Sequence, residues 1–279
     1  METRPVEPGP LVTGPFTGNI TILTGASRGI GEALAYQLAE QGSRLALAAR
    51  DLDRLNEVAE GCRSRGAEAI AVQTDVSQRD QCRRLIDTAV TAYGGIDTLI
   101  NNAGITMWAK FEEMEDLSIY EKIMQVNYLG SVYCTFEALP YLKQSHGRIV
   151  AVSSLAGKAG VPARSGYVAS KHAMTGFFDT LRIELAPYGV SVTVVYPDFV
   201  SSGSHARALG PDGKPLGHNP LKVEKVMDVD TCARLILKAA GQRKREEIMG
   251  LRGKVGQWLK LIAPGLVDRI AARAIEQGK

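Results

Sequence analysis

The chain reads as a single α/β domain built on a doubly wound parallel sheet with helices on both faces. Three observations predict this. Short apolar runs rich in Val, Ile, Leu and Ala recur along the chain, each is followed by a longer stretch of helical periodicity, and the runs are continuous rather than alternating. Continuous apolar strands are buried on both faces, which is the mark of a parallel sheet covered by helices. Right-handed crossovers between such strands give a Rossmann-type winding and gather ligands at the carboxyl ends of the strands. At 279 residues and 45% hydrophobic composition, one core of this kind suits the chain.

The first strand, expected over 19–24, runs into Thr24-Gly25-Ala26-Ser27-Arg28-Gly29-Ile30-Gly31 and a helix over 29–41. Gly25 lets the chain turn out of the strand, Gly29 lets backbone approach a diphosphate, and Gly31 allows close helix-to-sheet packing. The free N–H groups of the helix N-terminus then face the anion. The spacing is G-x-x-x-G-x-G rather than the general G-x-G-x-x-G, and three glycines alone also describe an ordinary turn. The second strand, 44–49, ends on Arg50 and Asp51 ahead of a helix over 52–65. Asp51 stands where an N-cap belongs, which leaves Arg50 to meet a 2′-phosphate, with Arg28 as a second cation. NADP(H) is therefore the expected cofactor. In the opposing reading Arg50 is solvated and Asp51 accepts from the ribose.

The third strand, 67–73, leads to Asp75, which either accepts from an adenine amino group or introduces the helix 78–93 that Ser77 would cap. The fourth, 97–101, ends in Asn101-Asn102-Ala103-Gly104. Small residues there let a ribose lie against backbone, and the asparagine amides can fasten neighbouring strands. A long helix, 117–143, carries Asn127 inside an apolar portion, where a polar side chain is costly unless bonded. An ordinary amide bonded to backbone is the plain reading of it. The fifth strand, 147–153, ends in Ser153-Ser154, either of which is a hydroxyl for a carbonyl oxygen or a turn residue. The helix 167–186 opens with Tyr167 and Lys171 four apart on one face. An ammonium beside a phenol favours the phenolate and brings its pKa down from about 10. An exposed pair on a solvated face is the alternative.

A sixth strand, 190–196, is followed by 197–227, where Gly, Pro, Ser, His and Asn dominate and periodicity is lost. A loop this long is either a cover for substrate or disordered when empty. A helix over 230–241 and a strand over 247–249 close the domain, which spans 19–250. The extension 251–279 places apolar residues at near-helical spacing over 254–275, interrupted by Pro264-Gly265, with Lys and Arg between them. It is expected on a second subunit, on the chain's own core or at a membrane surface.

The net charge of +3 comes from interspersed charges, so no nucleic-acid partner is expected. Four scattered cysteines predict free thiols, a reducing compartment and no metal site. The stretch 1–18 carries four prolines and no apolar segment, and is expected as a disordered lead-in, neither signal peptide nor anchor. Cytoplasmic placement follows, with membrane contact through 254–275 as the variant.

These motifs, in this order and spacing, resemble the short-chain dehydrogenase/reductase family over 19–249: T-G-A-S-R-G-I-G at the first turn, N-N-A-G at Asn101 to Gly104, then Asn127, Ser154 and Tyr167-x-x-x-Lys171. The resemblance implies Tyr167 as general acid/base, Lys171 on the ribose and lowering the tyrosine pKa, and Ser154 holding the carbonyl. It implies Asn127 holding a water in a proton relay. It places cofactor contacts at Gly25, Ser27, Arg28, Gly29, Ile30, Gly31, Arg50, Asp75, Val76, Asn102, Ala103, Gly104, Tyr167, Lys171, Pro197, Val200 and Ser202. Arg28 and Arg50 look like the family's NADP-preferring branch, and the segments 152–158 and 139–145 look most like its 11β-hydroxysteroid dehydrogenase neighbourhood. Where the family has Pro-Gly after the sixth strand this chain has Pro197-Asp198, an extra carboxylate expected near the nicotinamide.

The function implied is an NADP(H)-dependent reductase or alcohol dehydrogenase, assembled as a homodimer or homotetramer. Its pocket of Leu155, Trp108, Phe199 and the loop after Pro197 would suit an apolar steroid, long-chain or aromatic carbonyl. A nucleotide-sensing or scaffold protein that has lost turnover is the opposing class.

Overall fold

The computed structural model describes residues 14–220 and 226–276. The β-α alternation takes form as β1 (Ile20–Thr24), α1 (Gly29–Glu40), β2 (Arg44–Ala49), α2 (Leu52–Arg63), β3 (Ala69–Gln73), α3 (Arg79–Tyr93) and β4 (Thr98–Asn101). There follow α4 (Ser118–Met124), α5 (Gly130–Gln144), β5 (Arg148–Val152), α6 (Ser165–Leu185), β6 (Ser191–Tyr196), α7 (Val229–Gly241) and β7 (Glu246–Ile248). The strands form one parallel sheet in the order β3-β2-β1-β4-β5-β6-β7. The strand order reverses between β1 and β4, so their carboxyl ends flank the crevice where such sheets bind ligands.

Because side chains alternate across a strand, each continuous apolar run feeds two cores. Leu45 and Leu47 of β2 join Leu34 and Leu38 of α1, Leu55 and Val58 of α2 and Ile236 of α7 on one face. Ala46 and Ala48 join Leu85 and Ile86 of α3, Leu142 of α5 and Phe178 of α6 on the other. Truncating one of these buried leucines to alanine removes about 2–5 kcal/mol.

Three expectations are corrected. The lead-in anticipated over 1–18 lies outside the described residues as far as 13, but 14–18 form a turn whose Phe16 is completely buried against α1 and α7. An aromatic ring placed under the sheet belongs to the core, whatever the proline content around it. The helix expected over 117–143 is interrupted by a wider π turn, Gln125–Leu129, which carries Asn127. The Asn127 amide bonds the segment after β4, and Gly130 lies so close to Val76 that an added Cβ would stand 2.7 Å from its Cγ2. Such single-turn π segments recur at functional sites.

Ser77 does not cap α3: the capping position is Gln78, and the Ser77 hydroxyl donates to Asp75 instead. The extension is two helices, α8 (Leu251–Ile262) and α9 (Pro264–Glu276), split at the expected proline. Gly253 in the first turn of α8 packs inward against Leu155 and Ile248 and Lys260 donates to the Lys158 carbonyl, whereas Trp258, Leu261, Ile262 and Ile270 are exposed. The four cysteines are buried and free. Among the described residues no helix is long and apolar enough to cross a membrane.

Candidate active site

The turn after β1 is made for close approach. Gly25 and Gly29 have φ of +66° and +56°, which only glycine adopts readily. A Cβ on Gly31 would lie 2.0 Å from the Gly25 carbonyl oxygen, and one on Gly29 would lie 2.9 Å from Ser202 Cβ. The Asn102 amide donates to the carbonyls of Thr24 (3.0 Å) and Gly25 (3.1 Å), fastening β4 to the turn as its residue type predicted. The N-cap of α1, Arg28, supplies no side-chain acceptor to the first turn of that helix. Ser27, Gly29, Ile30 and Gly31 all line one large cavity of about 950 Å³. Unfilled helix donors behind a glycine cradle that any side chain would block suit a dinucleotide diphosphate.

At the end of β2, Asp51 caps α2 by accepting from Arg54 N (3.2 Å) and accepts from Arg28 Nη2 at 2.8 Å. The Arg28 hydrogen bond, then that of the Arg54 backbone, holds its carboxyl below the usual carboxylate range. Arg50 is exposed on the same cavity and, among the described residues, pairs with no carboxylate. Arg28, expected as a second phosphate cation, is thus engaged with Asp51. Asp75 accepts from the Ser77 backbone (3.0 Å) and hydroxyl (2.7 Å), while Asp75 and Val76 line the cavity beside Ala103 and Gly104.

Further along the cavity, α6 presents Tyr167 and Lys171 from successive turns, with the ammonium 5.7 Å from the phenol ring centroid. Lys171 is buried and donates to the Val152 carbonyl at 2.8 Å. Burial pushes its pKa down, opposed by attraction to Tyr167. For Tyr167, burial alone would push the phenol up. The nearby charges of Lys171 and Arg164 and hydrogen bonds from Ser154 and Arg164 outweigh that, and the phenol titrates below its ordinary value.

The two serines divide their work. Ser153 turns toward α6, bonding Lys171 O and Thr175 (3.4 Å each), whereas Ser154 faces Tyr167 and accepts from Ala156 N at 3.2 Å. Asn127 donates to Ile105 O (2.9 Å) and Ser170 Oγ (2.9 Å) and accepts from Ile105 N (2.8 Å). Both amide protons are therefore used, and the second lone pair of Oδ1 is what remains for a water. An added Cβ on Gly104 would meet Asn127 Oδ1 at 3.2 Å and Lys171 Nζ at 3.7 Å, so the three groups converge on one spot.

Leu155, Phe199, Pro197, Val200 and Ser202 line the cavity as expected, while Trp108 does not: it lies behind Arg164, its ring 6.0 Å from the guanidinium. The carboxylate of Asp198 is not left bare. It accepts from Arg252 of α8 at 2.8 Å, and the same guanidinium lies 5.3 Å over the Phe199 ring. Arg164, His205 and Arg252 also face the cavity and were not anticipated. The one sequence cue for Arg164 was its place three residues before Tyr167; nothing in the sequence links Arg252 to Asp198.

Comparison with known proteins gives a consistent picture. A family model described as short chain dehydrogenase matches residues 19–210. Among curated proteins, 11-beta-hydroxysteroid dehydrogenase 1A of Arabidopsis thaliana is 38% identical, covering 90% of this chain and 74% of its own length. An Arabidopsis 11-beta-hydroxysteroid dehydrogenase-like protein, 4A, is 39% identical over 90% of this chain and 82% of its own. The Dictyostelium discoideum protein named dehydrogenase/reductase SDR family protein 7-like is 34% identical, covering 91% and 80%. Among solved structures, a short chain dehydrogenase/reductase from Burkholderia phymatum, determined in complex with NAD, superposes with a TM-score of 0.79 at 25% identity, covering 90% of this chain and 96% of that one.

Proposed function

From the premise that this chain belongs to the short-chain dehydrogenase/reductase family, and so is an alcohol/carbonyl oxidoreductase, we propose that it interconverts a ketone or aldehyde and an alcohol with NADP(H). The observation that carries the reading is Tyr167, set between Lys171 and Ser154 with its phenol held below its ordinary pKa. A bound nicotinamide dinucleotide supplies the hydride, or accepts it in the reverse direction. Ser154 donates to the substrate oxygen and orients it. Tyr167 delivers a proton to that oxygen on reduction and removes it on oxidation. Lys171 bonds ribose hydroxyls and keeps the phenol acidic. Asn127 holds a water that resupplies the proton by way of Lys171.

NADP rather than NAD is supported by the engagement of Asp51 with Arg28 and the Arg54 backbone, while Arg50 stands exposed at the strand end. A phosphate suits a guanidinium fork. An apolar substrate is supported by Leu155, Val161 and Phe199 in the cavity wall and by the names of the hydroxysteroid dehydrogenase relatives. The exposed apolar residues of α8 and α9 support a homo-oligomer, with a membrane surface as the alternative partner. Sedimentation and liposome flotation separate these two.

The test is oxidation of NADPH and NADH across steroid, long-chain, 3-oxoacyl and aromatic carbonyls, with Tyr167→Phe as control. Turnover with NADPH on one class is expected, and Tyr167→Phe should lower kcat by about 10²–10⁴-fold with dinucleotide binding intact. Turnover that survives the loss of the hydroxyl would refute the assigned chemistry. Tight NADPH binding without turnover on any carbonyl would favour a nucleotide sensor.

A further inference from the structure

The N-cap of α6 is Arg164, preceded by Ala163 at φ +60°, whose carbonyl is held by Ala109 N at 2.9 Å. This anchored turn swings the arginine inward, to 6% exposure. Its Nη2 donates to Thr106 Oγ1 at 2.8 Å, Trp108 lies behind it, and its guanidinium sits 4.4 Å from the Tyr167 ring centroid. Among the described residues no carboxylate pairs with it, and its Nε has no partner.

A guanidinium taken out of water needs a countercharge or a full set of acceptors, and Thr106 supplies one neutral acceptor. The acidic hydroxyl against it is that of Tyr167. We propose that Arg164 is a positioning residue for Tyr167: wedged by Thr106 and Trp108, its guanidinium fixes the phenol ring and stabilises the phenolate alongside Lys171. The substrate is then met by a phenol flanked by two cations from opposite ends of the same helical segment.

The surroundings of Tyr167 agree. From α6 it faces Lys171 and Arg164, and from the turn after β5 it faces Ser154. From α4 the same cluster brings Ile119, Ile123 and the phenol of Tyr120, whose hydroxyl pairs with Ser165, and from the segment after β4 Met107. From the loop after β6 comes His205, whose ring burial and the neighbouring Arg164 push down to about 4, so it is neutral near pH 7. Lys122 and the paired Asp198 and Arg252 line the same cavity.

This inference builds on Tyr167 as the proton donor, yet it can be read without turnover. The experiment is an ultraviolet difference titration of phenolate absorbance, wild type minus Tyr167→Phe, repeated in the Arg164→Met, Arg164→Lys and Thr106→Val backgrounds with NADPH binding as a fold control. Loss of a cation should move the Tyr167 titration to higher pH by about one unit in Arg164→Met, and less in Thr106→Val, where the guanidinium is retained but unanchored. Arg164→Lys, which keeps the charge, should restore most of the wild-type value. An active enzyme would show the same alkaline shift in its kcat/KM profile.

An unchanged titration in Arg164→Met overturns the proposal while leaving the reductase reading untouched, and equal shifts in Met and Lys variants overturn its electrostatic basis. Should Arg164→Met fail to fold, the Lys and Val variants carry the same test, a Thr106→Val titration identical to wild type counting against it. If no carbonyl is reduced at all, the phenol titration still decides the role of Arg164.

Discussion

At the end of the cavity proposed for the diphosphate the protein presents backbone: glycines at positive φ, helix N–H groups, and an asparagine tying strand to turn within the first 104 residues. At the other end, proposed for the carbonyl, it presents charged side chains held by single contacts, such as Arg164 on Thr106 and Asp198 on Arg252. The first construction depends on shape and tolerates no added atom. The second depends on charge, and its parts can be exchanged singly. The two ends should therefore fail in different ways when mutated.

The largest effect belongs to the backbone end. Gly31→Ala sets a methyl 2.0 Å from the Gly25 carbonyl, and overpacking of this kind should lower stability by about 3 kcal/mol, with dinucleotide affinity falling in step, measured by denaturant melts and by NADPH titration. A variant with normal affinity would show that the turn yields, and would break the contrast. Arg50→Ala comes next. It should raise the Kd for NADPH about 10-fold or more and leave NADH nearly unchanged, since one charge-assisted contact is lost. Equal losses for the two cofactors would mean that Arg50 does not read the 2′-phosphate.

At the carbonyl end, His205 gives a pH signature. Burial and then Arg164 depress its pKa to about 4 in the folded protein, below the 6.5 of a free histidine. The unfolded chain then binds the extra proton between these values, so stability is complete above pH 6.5 and is lost as pH falls through 4. The loss is on the order of 1–2 kcal/mol, allowing for the partial exposure of the ring, and His205→Gln should flatten it in urea melts between these limits. The smallest effect is the Asp198–Arg252 pair, whose arginine is well exposed: a double-mutant cycle should return about 0.2–1 kcal/mol of coupling. A coupling several times larger would make α8 an integral wall of the site rather than an attachment to it.

The same contrast explains what could be read in advance. Strand positions, helix bounds to within a few residues and the glycine turn rest on local patterns, and the Tyr167–Lys171 pair rests on helical spacing. Asn127 was visible as a polar residue in an apolar helix, but the π turn that presents it and its bonds to Ile105, 22 residues away, leave no mark on the local periodicity. Arg164, His205 and Arg252 reach the cavity through long loops and an added helix whose course no local periodicity encodes. Phe16 stood in a proline-rich stretch, and only the sheet above it reveals that the ring is interior.

The position of the tryptophans gives the molecule a built-in optical label. Trp108 lies with its ring 6.0 Å from the Arg164 guanidinium, and Trp258, the other of the two, rides on the helix whose first turn reaches Asp198. One indole therefore stands beside the Arg164 guanidinium and the other on the exposed face of α8. Intrinsic emission should accordingly respond when the cavity beside Arg164 is filled or when α8 is covered by another surface, with exposed Trp258 quenched by acrylamide more readily than half-buried Trp108.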